Sequence, residues 1–253
     1  NRAEGIGLTF NSGGTEWKAE ASLLIAADGA NSQIRQLIGI GITGWDYQQH
    51  CLSITVKTQF PTQSITWQEF QPSGPKAFLP LEDGYACLIW YDHPTVISSL
   101  MALSNEEIKR RVVDVFPPLP GDFEVIKHAA FPLTRRQAND YFKNRVVLVG
   151  DAAHTINPLA GQGVNLGYKD VACLSGLLSE IELTDELKLQ SALTNYERKQ
   201  KLQSKTMSGM MDLCYKLFSN DNASLSKLRS GFFSLANRTS VAKKLVLKKA
   251  LGY

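Results

Sequence analysis

Hydrophobic positions along these 253 residues change their period several times, and each change marks a different kind of element. Two short runs, residues 22–27 and 145–149, are apolar almost throughout. Neither alternates; the first reads as an apolar strand and the second, rich in β-branched residues, as a buried one. Each run ends in an acidic turn, Asp28-Gly29 in the first and Gly150-Asp151 in the second. Between them, residues 51–58, 64–70, 77–81 and 86–91 alternate or cluster β-formers, with turn residues at Pro72-Ser-Gly-Pro75 and Glu82-Asp-Gly84. That pattern predicts an antiparallel sheet. Residues 105–116 have helical periodicity, with Ser104 as N-cap and Pro117-Pro118 as a stop, and residues 123–132 return to an extended pattern. From Val164 onward the spacing is helical: one helix through Glu180 and a second over 184–211, softened at Ser208-Gly209.

The acidic turns carry the candidate chemistry. A carboxylate at the C-terminal end of a buried strand lies where α/β sheets bind ligands. After Gly150-Asp151 come Pro158 and the pair Gly161-Gln-Gly163, which lack Cβ atoms at two positions just where a helix presents its unpaired N–H groups, an end that favours negative charge. After Asp28-Gly29, either Asn31 or Ser32 can cap a helix, and Arg35, one turn on, can reach an anionic ligand or pair with Asp28. The bland alternatives are a capped turn with a local ion pair at Asp28-Gly29 and, at Gly161 and Gly163, glycines that only shape a strand-to-helix turn. Two other glycine clusters fail as phosphate loops. Gly39-Ile-Gly41-Ile-Thr-Gly44 follows a helix-like stretch rather than a strand, and Gly5-Ile-Gly7 runs on into an extended segment that turns at Asn11-Ser-Gly-Gly14.

Together, in this order, the two acidic turns resemble the motifs of the flavin-dependent aromatic hydroxylases, the para-hydroxybenzoate hydroxylase class. The stretches 67–81, 150–170 and 248–253 look similar to the ubiquinone-pathway members of that class. The resemblance implies an α/β (α+β) fold: part of an FAD-binding Rossmann-like domain, with an inserted antiparallel substrate sheet and C-terminal helices. Its implied boundaries are 1–44 and 133–183 for the flavin domain, 45–132 for the substrate sheet and 184–253 for the helical region. Such enzymes open with a strand, a Gly-x-Gly-x-x-Gly loop and a helix, and this chain starts at Asn1 without that unit. The expectation is therefore a C-terminal portion of a longer protein, inactive by itself.

By the same resemblance, Asp151 takes the ribitol of FAD. The loop Pro158 to Asn165 lies beside the isoalloxazine, with amides near Gly163 and Val164 facing its N1 and C2 carbonyl. The cofactor set is then Asp28, Gly29, Arg35, Gly150, Asp151, Pro158, Gly161, Gln162, Gly163, Val164 and Asn165. Pro158 and Gly163 bear on oxygen transfer, and no general base is evident. The implied reaction uses NAD(P)H as reductant and hydroxylates a polyprenyl benzoquinol with dioxygen through a flavin C4a-hydroperoxide. Two alternatives stay open: a non-catalytic lipid- or partner-binding module, and a reductase or halogenase of the same fold.

Composition changes this picture little. With 43% hydrophobic and 20% charged residues, the chain is an ordinary globular one with a sizeable core. No apolar run is long enough to cross a bilayer and no export signal is apparent, so the expected place is the cytoplasm. Cys51, Cys87, Cys173 and Cys214 are scattered, which points to core thiols rather than disulfides or zinc. His50, His93, His128 and His154 lack metal-ligand spacing; His154, inside a motif, reads as structural rather than catalytic. The aromatic residues Trp67, Phe70, Phe78, Trp90 and Tyr91 read mostly as sheet core, with one face free to line a pocket. Arg135 and Arg136 either steer an anion or are solvated. From Asn220 on, seven Lys and Arg face one acid, Asp221. That tail reads either as a contact with the inner membrane surface or a biosynthetic complex, or as a helix on its own protein. No nucleic-acid motif is present.

Overall fold

A computed structural model describes residues 5–61, 63–157, 161 and 163–218. In chain order the elements are β1 (Ile6–Ser12), β2 (Thr15–Ala21), β3 (Leu24–Ala26), α1 (Gln33–Leu37), β4 (Ile42–Thr58), β5 (Trp67–Glu69), β6 (Lys76–Pro80), β7 (Tyr85–Asp92), α2 (Pro94–Met101) and α3 (Asn105–Val115). They continue with β8 (Phe123–Ala138), β9 (Phe142–Lys143), β10 (Val146–Leu148), β11 (His154–Thr155), α4 (Gly163–Leu178) and α5 (Glu186–Phe218). Strands and helices are mixed, as an α/β (α+β) chain requires. The chain divides into two units: one holds the described residues up to Trp45 together with Thr134–Met211, the other Asp46–Leu133 and the chain from Asp212.

In the first unit, β3 and β10 run parallel in the order β3-β10-β9, with Leu24, Ile25 and Ala26 opposite Val146, Val147 and Leu148. Parallel strands need cover on both faces. Here Val147, Leu148 and Val149 are buried with Tyr141, Leu174, Leu189, Leu193 and Tyr196, which brings α4 and α5 onto the sheet. The Tyr196 hydroxyl donates to the Leu148 carbonyl at 2.8 Å, so the buried phenol is satisfied. Arg145, at the opposite end of β10 from the acidic turn, donates to Ser22 O at 2.8 Å and Leu183 O at 3.0 Å and pairs with Glu186. β1 and β2 form a hairpin turned at Gly13 and Gly14, both with positive φ, as a two-residue turn of right-handed strands demands.

In the second unit the antiparallel sheet runs β4-β7-β6-β5. Its alternation sorts side chains cleanly. Leu52, Ile54, Val56, Phe78, Leu88 and Trp90 share the face that packs on Ile97 and Leu100 of α2 and Ile108 and Val112 of α3. Each such side chain, fully buried, contributes about 1.5–3 kcal/mol. Trp67 and Phe78 stack at 6.1 Å on that same core face. Tyr91 belongs to the other face, opposite Cys51. Burial, helped by Cys87, pushes the Cys51 thiol up to about 12, as suits an inert core cysteine. The expected N-cap at Ser104 is a full capping box with Glu107.

Several expected bounds needed correction. β4 and β8 begin earlier or end later than the alternating stretches suggested, because pairing continues through polar residues once the register is set. Gly44, the last glycine of the rejected loop pattern, sits within β4, where a Cβ would lie 1.9 Å from Arg135 O. α2 was not foreseen; it starts at Pro94, whose fixed φ suits a first helical position, behind His93 as N-cap. α5 runs on past Ser208-Gly209 to Phe218 and is 33 residues long in all. Ser208 is buried there, so packing outweighs the propensity loss of about 1 kcal/mol at a helical glycine. The basic stretch from Asn220 lies outside the described residues.

Lys76 is an unexpected core residue, 1% exposed on the helix-covered face of β6. Its ammonium bonds Gln71 Oε1 and lies 5.7 Å from the Trp90 ring. Burial holds its pKa below the usual 10.5, against the pull of Asp92 and Glu69. A lysine pKa depressed by folding means that the charged form opposes folding below the folded pKa, and that the opposition vanishes above the unfolded value. Lys76→Met should therefore leave the thermal midpoint unchanged or raised near neutral pH, with the gain lost above pH 10.5. A fall of more than about 3 °C in a melt at neutral pH, roughly 1 kcal/mol for a chain of this size, contradicts it.

Candidate functional site

Because β3 and β10 are parallel and in register, the turns that follow them leave the sheet at one edge. After β3, Asp28 accepts the Ile34 amide at 3.1 Å, and Ser32, fully buried, accepts the Arg35 amide at 3.0 Å as N-cap of α1. Gly29 has φ +80, a left-handed turn that a side chain would strain. Desolvation pushes the Asp28 pKa up, but the hydrogen bonds from Ser32 and from the Ile34, Asp28 and Gln33 amides outweigh it and lower the value below 3.8. The carboxylate thus serves first as a local cap.

Arg35 takes a different place from the expected one. Instead of pairing with Asp28, its buried guanidinium donates to Ala152 O at 2.8 Å and to Ala30 O at 2.9 Å. The carbonyls belong to the two acidic turns, so Arg35 stitches one to the other. Two fixed carbonyl acceptors match the fork of a guanidinium, and a lysine cannot reproduce both bonds.

After β10, Gly150 turns the chain with φ +60 and begins a short 3-10 turn through Ala152. Its amide donates to Asp170 Oδ2 at 2.8 Å, and the same oxygen lies 2.6 Å from His154 Nε2. Asp170 is 1% exposed and His154 2%. The His154 ring stacks on Tyr141 at 5.7 Å. Helix α4 approaches the turn closely: a Cβ on Gly167 would sit 3.4 Å from the Gly150 Cα. Asp151 itself is exposed on one side, while the protein around it raises its pKa by desolvation, which His154 opposes.

α4 begins at Gly163, one residue before its expected start near Val164. A Cβ at Gly161 or Gly163 would meet nothing within 4 Å, and Val164 and Asn165 are exposed, so the backbone at the start of the helix is accessible to a ligand. Val164, Tyr168 and Val171 leave an apolar stripe uncovered on the helix. Pro158 and Gln162 lie outside the described residues. Arg135 covers the Trp45 ring at 4.4 Å and Arg136 donates to Arg135 O at 3.2 Å. Among the described residues no His, Cys, Asp and Glu cluster suited to a metal ion occurs.

Asp170, Gly167 and Asn157 escaped the sequence reading. Asp170 had a legible signal: it falls on the buried stripe Leu166, Asp170, Leu174, where an acid must find a partner. Asn157, the last described residue before the loop, is 1% exposed, and neither of its side-chain polar atoms has a partner among the described residues. The accessible helix start, the exposed Asp151 and the glycines without Cβ obstruction fit a polar ligand with hydroxyl and anionic groups such as FAD.

Comparison with known proteins agrees. A family described as "FAD binding domain" matches residues 6–207. The 3-demethoxyubiquinol 3-hydroxylase of Escherichia coli (strain K12) is 43% identical over 233 residues, 92% of this chain and 60% of that protein. The mitochondrial ubiquinone biosynthesis monooxygenase of Homo sapiens is 30% identical over 278 residues, 96% of this chain and 59% of its own. The chain therefore spans about three-fifths of the length of these relatives. Among solved structures, p-nitrophenol 4-monooxygenase of Pseudomonas putida DLL-E4 shares the fold with a TM-score of 0.76 at 19% identity, over 98% of this chain and 63% of that one. With four-fifths of its length inside that family match, this chain belongs to the FAD binding domain family.

Proposed function

We propose that this chain is the larger part of an FAD-dependent monooxygenase that hydroxylates a polyprenyl benzoquinol ring in ubiquinone biosynthesis, with NAD(P)H as reductant. The observation that carries the reading is the shared sheet edge, where two acidic turns stitched by Arg35 meet the accessible start of α4. The 43% identity to a ubiquinol hydroxylase supports the substrate class. FAD, when bound, supplies electron transfer from NAD(P)H and activation of dioxygen.

The residues of this chain bind, orient and shield. Asp151, accessible at the turn, accepts hydrogen bonds from the sugar-like hydroxyls of the cofactor. Asp28 and Gly29 shape the neighbouring turn and, together with Gly150, let backbone approach the ligand. Amides at Gly161, Gly163 and Val164 offer donors where negative charge develops, and Gln162, Asn165 and Pro158 complete that loop. Arg35 acts at one remove, by fixing both turns. A peripheral membrane contact through the basic C-terminal stretch belongs to the same proposal; no helix among the described residues is long and apolar enough to cross a membrane.

The activity test uses full-length protein with NAD(P)H, oxygen and a short-chain quinol. One hydroxyl added to the ring supports the proposal. A reduced or halogenated product moves the chain to a sister reaction, and a protein that takes up no flavin defeats the reading. Asp151→Ala should weaken FAD binding at least about tenfold, equivalent to roughly 1.4 kcal/mol, in a flavin fluorescence titration; affinity within twofold of wild type contradicts the assignment. Asp170→Ala removes the acceptor of Gly150 N–H and His154 inside the core, so urea unfolding should show a loss of about 2–5 kcal/mol. A loss below about 1 kcal/mol would mean that water or a neighbour replaces the carboxylate.

A further inference from the structure

Asp170 is an acid buried to 1% exposure on the apolar stripe that α4 turns inward, between Leu166 and Leu174. Burying a carboxylate is costly, and an apolar side chain at such a place commonly serves stability as well or better. Its hydrogen bonding is also one-sided. Oδ2 takes two donors, the Gly150 amide at 2.8 Å and His154 Nε2 at 2.6 Å, while Oδ1 has no partner among the described residues. Facing a carboxylate, Nε2 is the nitrogen that carries the proton.

The two donors stand on either side of Asp151. Gly150 precedes it, and His154 lies three residues beyond it. The rest of the turn is pinned as well: the Ala153 amide donates to Gly150 O at 2.9 Å, Arg35 to Ala152 O at 2.8 Å, and the Ala138 amide to Ala153 O at 2.8 Å. His154 cannot swing away, since its backbone pairs with Gln137 of β8 and its ring stacks on Tyr141. Within this frame Asp151 is the member left exposed. His154, at 2% exposure, and Asp170 are shut off from any ligand and can act on one only through the turn.

Resting on the flavin proposal above, we propose that the buried Asp170–His154 pair is a positioning device for Asp151: one carboxylate oxygen holds the turn on both sides of that residue and so fixes where its carboxylate meets the hydroxyls of the cofactor. Neither residue of the pair touches FAD. Their effect on its binding passes through Asp151, so it vanishes when the Asp151 carboxylate is removed. A pair that merely supported the core would weaken binding to the same degree with or without that carboxylate.

The test is a double-mutant cycle on FAD affinity, read by fluorescence titration of full-length protein, with Asp170→Leu and Asp170→Asn each made in the wild type and in Asp151→Ala. Leucine removes the acceptor; asparagine keeps an oxygen there. In the otherwise wild-type protein Asp170→Leu should weaken FAD binding about 5- to 50-fold, and Asp170→Asn should hold it within about threefold. On the Asp151→Ala background the leucine penalty should fall below about twofold. FAD affinity unchanged by leucine, a penalty equally large on both backgrounds, or asparagine as damaging as leucine overturns the proposal. The thermal midpoint falls with leucine in either case and serves only to certify folding. If Asp170→Leu does not fold, His154→Phe, which keeps a ring on Tyr141 without the donor, is judged on the same two backgrounds. If neither folds, wild-type crystals with FAD decide: both bonds to Asp170 intact while Asp151 meets the cofactor supports the proposal, and either bond broken overturns it. Wild type that binds no FAD, or Asp151→Ala with unchanged affinity, removes the flavin reading too; Asp151→Ala weakened beside an overturning result at Asp170 removes only this one.

Discussion

Parallel pairing of Val146–Leu148 with Leu24–Ala26 is the constraint on which the candidate site depends. Three residues per strand suffice because Val146, Val147 and Leu148 are all buried, so a slip by one would exchange the side chains that pack on the two faces. Direction then does the rest. Two parallel strands in register deliver their C-terminal ends to the same edge, so Asp28-Gly29 and Gly150-Asp151, more than a hundred residues apart in sequence, become neighbours. Arg35 secures the arrangement through one carbonyl on each turn, and Arg145 ties down the other end of β10.

A second constraint comes from α4. With hydrogen in place of a side chain at both Gly150 and Gly167, the backbones of helix and turn pack directly against each other, and Asp170 reaches across to the Gly150 amide. The helix that offers its N-terminus is thereby fixed to the turn that offers Asp151. Placing a carboxylate and a helix N-terminus side by side suits a dinucleotide, which is hydroxylated at one part and anionic at another. Some buried polar groups have no partner among the described residues, and Asn157 is the clearest of them.

Much of this was legible in the residues. Unbroken apolar runs ending in Asp-Gly and Gly-Asp marked two strands, though not their pairing, and alternation marked the inserted sheet, since side-chain period is a local property of a strand. Other features were not local. The destination of Arg35 depended on Ala152 lying within reach, which only the three-dimensional pairing brings about. Lys76 reads as a surface residue in sequence, yet β6 turns it toward the Trp90 face. α5 continued past a Ser-Gly step because tertiary packing outweighs a propensity term of about 1 kcal/mol. Asp170 stood on a readable buried stripe; its partners were not readable.

Family membership fixes FAD as the class of ligand, and the relatives' names point to quinol hydroxylation, while the chain covers only about three-fifths of those relatives. The decisive measurement is a crystal structure of the full-length protein with FAD. The account predicts the Asp151 carboxylate within hydrogen-bond distance of the cofactor's ribityl chain and the Gly163 end of α4 against its ring system. FAD bound with both positions remote from it would contradict the account.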